Sequence, residues 1–123
     1  MFRINGLPDR VKVGPYFYGF SIEDIVWDKP DEPEENERMR LYGQCRNVDQ
    51  VIRLQRDYRC VGQAIDTVIH ELLHAIWWSF HLDDKLEEEP AVTNIATGWT
   101  QLLMDNPKLD SWLTRAFKAA RSQ

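Results

Sequence analysis

Cysteine is scarce in this 123-residue chain, which has only Cys45 and Cys60. Two such residues make no disulfide framework. Neither has a Cys or His partner at zinc-finger spacing. Both are read as free thiols of a reducing compartment. Long apolar runs are missing too. Nothing approaches the roughly 18 apolar residues of a membrane-spanning helix. Met1 to Arg10 mixes Pro, Asp and Arg and has no apolar h-region, so no signal peptide is expected and the expected location is the cytoplasm. Basic charge is in deficit. Fifteen Lys and Arg stand against twenty Asp and Glu, giving a net charge of −5 and a pI near 5.1. A general nucleic-acid binder would show a basic face instead. No internal repeat or low-complexity segment is evident. From Gln63 to Leu82 there is neither Gly nor Pro, so the two strongest helix breakers are absent where they would matter most.

That stretch carries the most informative run in the chain, His70-Glu71-Leu72-Leu73-His74. Two histidines four apart on a helix lie about 40° apart around the axis, one turn above the other. Both imidazoles can reach one Zn²⁺. Glu71 leans toward the same side, where it can take a proton from a metal-bound water. This is the ligand-and-base set of a zinc-dependent peptidase. A chance match would be expected among polar residues or beside a breaker. Here Ile65, Val68, Ile69, Leu72 and Ile76 recur at helical spacing and give the helix a face to bury. The plain alternative makes His70 and His74 core histidines with ordinary hydrogen-bond partners.

The organisation predicted is α+β: a short sheet from the N-terminal half packed on the HExxH helix, then two further helices, in one domain spanning 1–123. Arg10 to Val13 and Tyr16 to Ile22 read as strands punctuated by Gly14-Pro15. Asp28 to Arg38 holds two prolines and six acidic residues and reads as a solvated loop. Tyr42 to Cys45 and Val48 to Leu54 read as strand. Val51, Arg53 and Gln55 face one way and Ile52 and Leu54 the other. A strand just before such a helix suits a sheet edge to which a peptide can add. The active-site helix is placed at about 62–80. A second helix follows at about 90–104 with Pro90 at its first position and Val92, Ile95, Ala96, Trp99, Leu102 and Leu103 toward the core. A last helix, about 108–120, buries Leu109, Trp112, Leu113, Ala116 and Phe117, with Lys108, Arg115, Lys118 and Arg121 on its other face.

Catalytic zinc takes three protein ligands and a water. His81 lies seven residues after His74, about 10.5 Å along a continuous helix, too far unless the helix breaks before it. A carboxylate at the start of the next helix serves better. Glu89 precedes Val92 by three and is favoured on helical phase, with Glu88 as the alternative. Glu87 is read as charge complementing the helix dipole. Thr93, or alternatively Asn94, would support the ligand set from behind. Tyr58, Arg59 and His81 are candidates for the oxyanion donor, with no spacing to choose among them.

His70-Glu71-Leu72-Leu73-His74-Ala75-Ile76-Trp77, Glu88-Glu89, Ile95-Ala96-Thr97-Gly98 and Asp105-Asn106-Pro107 together resemble small phage- and prophage-encoded zincins of the gluzincin type. The likeness covers Asp66 to Pro107. It implies a minimal zincin-like fold, His70, His74 and Glu89 as zinc ligands, Glu71 as general base, and a protein or peptide as substrate, with a host or phage protein as a conceivable partner. Larger gluzincins place Asp or Asn one turn after the ligand Glu, where this chain has Thr93. The competing function is a zinc-stabilised binding or regulatory module without catalysis. A third reading has no metal at all and puts Glu71 in a surface ion pair.

Overall fold

A computed structural model describes residues 1–25, 42–82 and 88–123. The predicted acidic loop at 28–38, and Asp83, Asp84 and Glu87, lie outside the described residues. The architecture is α+β. Among the described residues six strands, β1 (Phe2–Arg3), β2 (Arg10–Val13), β3 (Tyr16–Glu23), β4 (Gly43–Arg46), β5 (Val51–Gln55) and β6 (Asp57–Tyr58), precede three helices. These are α1 (Val61–Ser79), α2 (Glu88–Asp105) and α3 (Pro107–Arg121). Among the described residues no helix is long and apolar enough to cross a membrane.

The main sheet has strand order β2-β3-β5-β4, with β1 and β6 forming a small antiparallel pair beside it. The β2–β3 hairpin turns on Gly14-Pro15. Gly14 has φ +57°, and a positive φ followed by the fixed negative φ of proline fits a type II′ turn. β3 and β5 run parallel, whereas β4 and β5 are antiparallel. The alternation expected along β5 is present: Ile52 and Leu54 are fully buried and their neighbours only partly. Two expectations are corrected. Val48, expected in the strand, sits in the β4–β5 turn and is 91 % exposed. The strand expected to be a sheet edge, β5, is interior, and the edges of the main sheet are β2 and β4.

α1 forms where expected. It buries Val61, Ala64, Ile65, Val68, Leu72, Ala75 and Ile76 along one face, in one cluster with Val11, Val13, Tyr18, Ile52 and Leu54 of the sheet. Each fully buried aliphatic side chain there is worth roughly 1.5–3 kcal/mol. The helix stops in a Schellman motif. His81 takes φ +57°, its N–H donates to the Trp78 carbonyl, and the Leu82 N–H donates to the Trp77 carbonyl.

α2 begins two residues earlier than expected, so Pro90 stands third; the first turn needs no backbone donor there. Its inward face also differs from expectation. A Cβ on Gly98 would lie 2.7 Å from Ile76 Cγ2 and 3.1 Å from the Phe80 ring. This close crossing fixes the phase of the helix. Ala91, Asn94, Ile95, Gly98 and Leu102 share the less exposed side, whereas Val92, at 51 % exposure, and Ala96 do not. On α3, Leu109, Trp112, Leu113 and Ala116 are buried, but Phe117 is largely exposed.

The outer edge of β2 is closed by side-chain amides. Asn106 accepts from the Lys12 N–H (2.8 Å) and donates to the Lys12 carbonyl (2.9 Å) and the Leu102 carbonyl (2.7 Å). Gln101 accepts from the Gly14 N–H (2.8 Å) and donates to the Lys12 carbonyl (2.9 Å). Both amides imitate a neighbouring strand and tie the α2–α3 junction to the sheet.

Asn106→Ala should therefore lower the unfolding free energy by roughly 2–3 kcal/mol, about 1 for each of three lost hydrogen bonds. Asn106→Asp should be worse, because a carboxylate would face two carbonyls. Urea denaturation reads both. An Asn106→Ala loss below about 0.5 kcal/mol would show that the edge is not held this way.

Candidate metal centre

The HExxH run splits between two environments. Taking His70 as zero, His74 lies about 40° round the helix and Glu71 about 100° round. The two histidines face solvent, and Glu71 is turned toward the sheet. The structure follows this phase: His70 and His74 are exposed, and Glu71 is only 5 % exposed. Core histidines and a surface glutamate would show the reverse pattern, which is not the one seen.

His70 Nε2 and His74 Nε2 are 3.1 Å apart. Two nitrogens bound at 2.0–2.1 Å to one tetrahedral ion stand about 3.3 Å apart, so the rings need almost no rearrangement to share a Zn²⁺. Without an ion, one ring donates an N–H to the other. The rings meet edge to face at 73°, with centroids 4.8 Å apart. A ligand atom of Glu71 joins the pair, and all three lie within 4.8 Å of one another. Burial, together with the nearby His70, lowers the affinity of His74 for a proton, which favours the neutral, ligating form.

Glu71 packs against β4. A Cβ on Gly43 would come within 3.0 Å of both Cγ and Oε2 of Glu71. Burial raises the pKa of Glu71 above the ordinary glutamate value, with His70 and the Cys45 main chain pulling the other way. Cys45 itself is a half-buried thiol. Burial, reinforced by the Glu71 charge, pushes its pKa up to about 12, and its Sγ donates to Asn47 Oδ1 at 3.2 Å. Both cysteines are free.

The other expected participants are not brought to this group. Glu89 is exposed and lies outside the three-residue cluster. The reason is helical phase. Glu89 is nine positions before Gly98, about 180° round α2 from the side that meets α1. The phase argument from Val92 fails with Val92 itself. Asn94, not Thr93, occupies the less exposed side. The side chain of Glu88 lies outside the described residues. His81, rotated out of α1 by its positive φ, is also outside the cluster. Tyr58 is buried and donates its hydroxyl to the Tyr42 carbonyl at 3.0 Å, so it is committed elsewhere. Arg59 is exposed just before α1. Sequence reasoning missed Gly43. The available signal was the lone glycine in a strand pattern, which marks close approach by another group.

The sign of the Glu71 shift yields a test on metal-free protein. A carboxyl whose folded pKa is raised contributes stability below its unfolded pKa, and this is lost as pH rises through the folded value. Ionised Glu71 therefore weakens the apo fold at neutral pH. Glu71→Gln, which keeps the shape without the charge, should raise the apo Tm at pH 7 and flatten its decline between weakly acid and neutral pH. A lower Tm for Glu71→Gln at pH 7 would contradict this account of the buried carboxylate.

No family model, curated protein or solved structure matches the chain.

Proposed function

We propose that the protein is a zinc-dependent metallopeptidase of the HExxH type, in line with the resemblance to small phage-encoded zincins. The observation that carries this reading is the juxtaposition of two solvent-facing imidazole nitrogens, 3.1 Å apart, with a buried carboxylate from the intervening residue. His70 and His74 would hold the ion, with Glu88 or Glu89 at the start of α2 as the source of a third ligand. Bound zinc would supply Lewis acidity toward the scissile carbonyl and toward a coordinated water. Glu71 accepts the water proton and passes it to the leaving amine. Its burial favours this work, because a raised pKa brings the carboxyl closer to the pH at which it must both take and give a proton. β4 is an edge strand among the described residues and lies directly beside Glu71, where an extended peptide can add by main-chain pairing.

One observation favours a second reading. The Glu71 carboxylate is buried and wedged against β4 at Gly43, as a purely structural anchor would be. Zinc would then stabilise a binding or regulatory module that cleaves nothing.

Elemental analysis of native protein separates these readings from a metal-free one. About one zinc per chain is expected in wild type, with loss in His70→Ala and His74→Ala. Loss in only one of Glu88→Ala and Glu89→Ala names the third ligand. Glu71→Gln should keep zinc and lose roughly 10²–10⁴-fold in turnover of quenched-fluorescence peptides. Protein that takes up no stoichiometric zinc, or a Glu71→Gln variant as active as wild type, would sink the peptidase reading. Zinc uptake with no cleavage by wild type would favour the binding module.

A further inference from the structure

We propose that Gly43 is a positioning residue for Glu71: its missing side chain leaves the seat in which the carboxylate lies against β4, facing the His70–His74 pair. The inference rests on the reading of Glu71 as the proton acceptor.

Three observations carry it. First, the glycine is not explained by its backbone. Gly6 and Gly14 have positive φ, and Gly43 does not, so any residue could adopt its conformation. Space is what requires glycine. A Cβ there would stand 2.8 Å from Thr67 Cγ2 and 3.0 Å from both Cγ and Oε2 of Glu71. Second, Thr67 and Glu71 are one helical turn apart and straddle the same point of β4. Thr67 is the less able to yield. It is β-branched, and its hydroxyl donates to the Gln63 carbonyl at 2.9 Å. Glu71 has three side-chain torsions and would be the group that moves. Third, the main chain of Cys45, on the same strand and two residues on, favours the ionised carboxylate, so the group lies close to β4 on both sides of Gln44. Gly98 makes a comparably close approach, but its neighbours there are apolar and chemically inert.

Displacing a reacting group by about 1 Å can cost on the order of 10²-fold in rate. Thr67→Ser removes Cγ2, so in Gly43→Ala/Thr67→Ser the new methyl meets Glu71 alone. Amide NMR on the metal-free full chain reads the seat without any substrate. The Cys45 amide proton, which senses the nearby carboxylate, should shift in Gly43→Ala/Thr67→Ser and in Glu71→Ala, and stay put in Thr67→Ser. With zinc loaded, the double variant should keep wild-type zinc content and KM toward a quenched-fluorescence peptide, and lose about 10²-fold in kcat relative to Thr67→Ser. A folded double variant with an unmoved Cys45 amide proton would overturn the seat. A moved amide with undiminished kcat would overturn its positioning role. If wild type binds zinc and cleaves no peptide, the peptidase reading fails, and with it the catalytic purpose of the seat; the amide shifts still report whether the seat exists, so the two failures are distinguishable.

Discussion

A four-stranded sheet has two outer edges, and each edge presents main-chain donors and acceptors that must find partners. This requirement organises the described part of the chain. At β2 the partners are the side-chain amides of Gln101 and Asn106, which bind Lys12 and Gly14 as a fifth strand would. At β4 the Glu71 carboxylate packs against the strand at Gly43. One edge is closed by neutral groups from the α2–α3 junction. Beside the other lies an ionisable group from α1.

The β2 closure fixes more than an edge. Asn106 also holds the Leu102 carbonyl at the end of α2, just before Pro107 opens α3. The Asp-Asn-Pro run is therefore a three-way joint between sheet, α2 and α3. Gly98 lets α2 approach α1 at Ile76 and Phe80. Together these contacts set the rotation of α2 about its axis, and that rotation carries Glu89 to the side away from α1. The placement of the third-ligand candidate is decided by a glycine and an asparagine far from it in the helix.

Much of this was legible in the sequence because it depends on local period. The span of α1, its apolar stripe, the alternation in β5 and the Gly14-Pro15 turn all follow from spacing and turn chemistry. The pairing of His70 with His74 follows from four-residue separation alone. What failed depended on tertiary approach. Val92 and Phe117 have the right spacing for burial and are exposed; for Val92 the phase is set by the close approach of α2 to α1 at Gly98. Glu89 was placed by reference to Val92, and it too is exposed. The position of β4 at the edge depends on a parallel β3–β5 pairing between segments some thirty residues apart, and no local pattern encodes that. Gly43 carried a signal of its own, a glycine inside a strand, but the identity of the group it admits is a tertiary fact.

The division of the HExxH run between solvent and sheet has a chemical consequence. Residues that bind an ion must be reachable and deprotonated, and the exposed edge of α1 suits His70 and His74. A proton acceptor gains from the opposite environment. Burial makes the carboxylate hold a proton more tightly, while a nearby histidine and main-chain dipole limit that gain. Glu71 experiences both, burial being the larger. A seam between a helix and a strand provides this combination, since it excludes water from one side and keeps polar groups close on the other. The α1–β4 contact is such a seam. It needs a residue without a side chain at the point of closest approach, and the strand has Gly43 there. The fold leaves no room for a side chain where the helix carboxylate meets the strand, and the chemistry proposed for this site depends on that same contact.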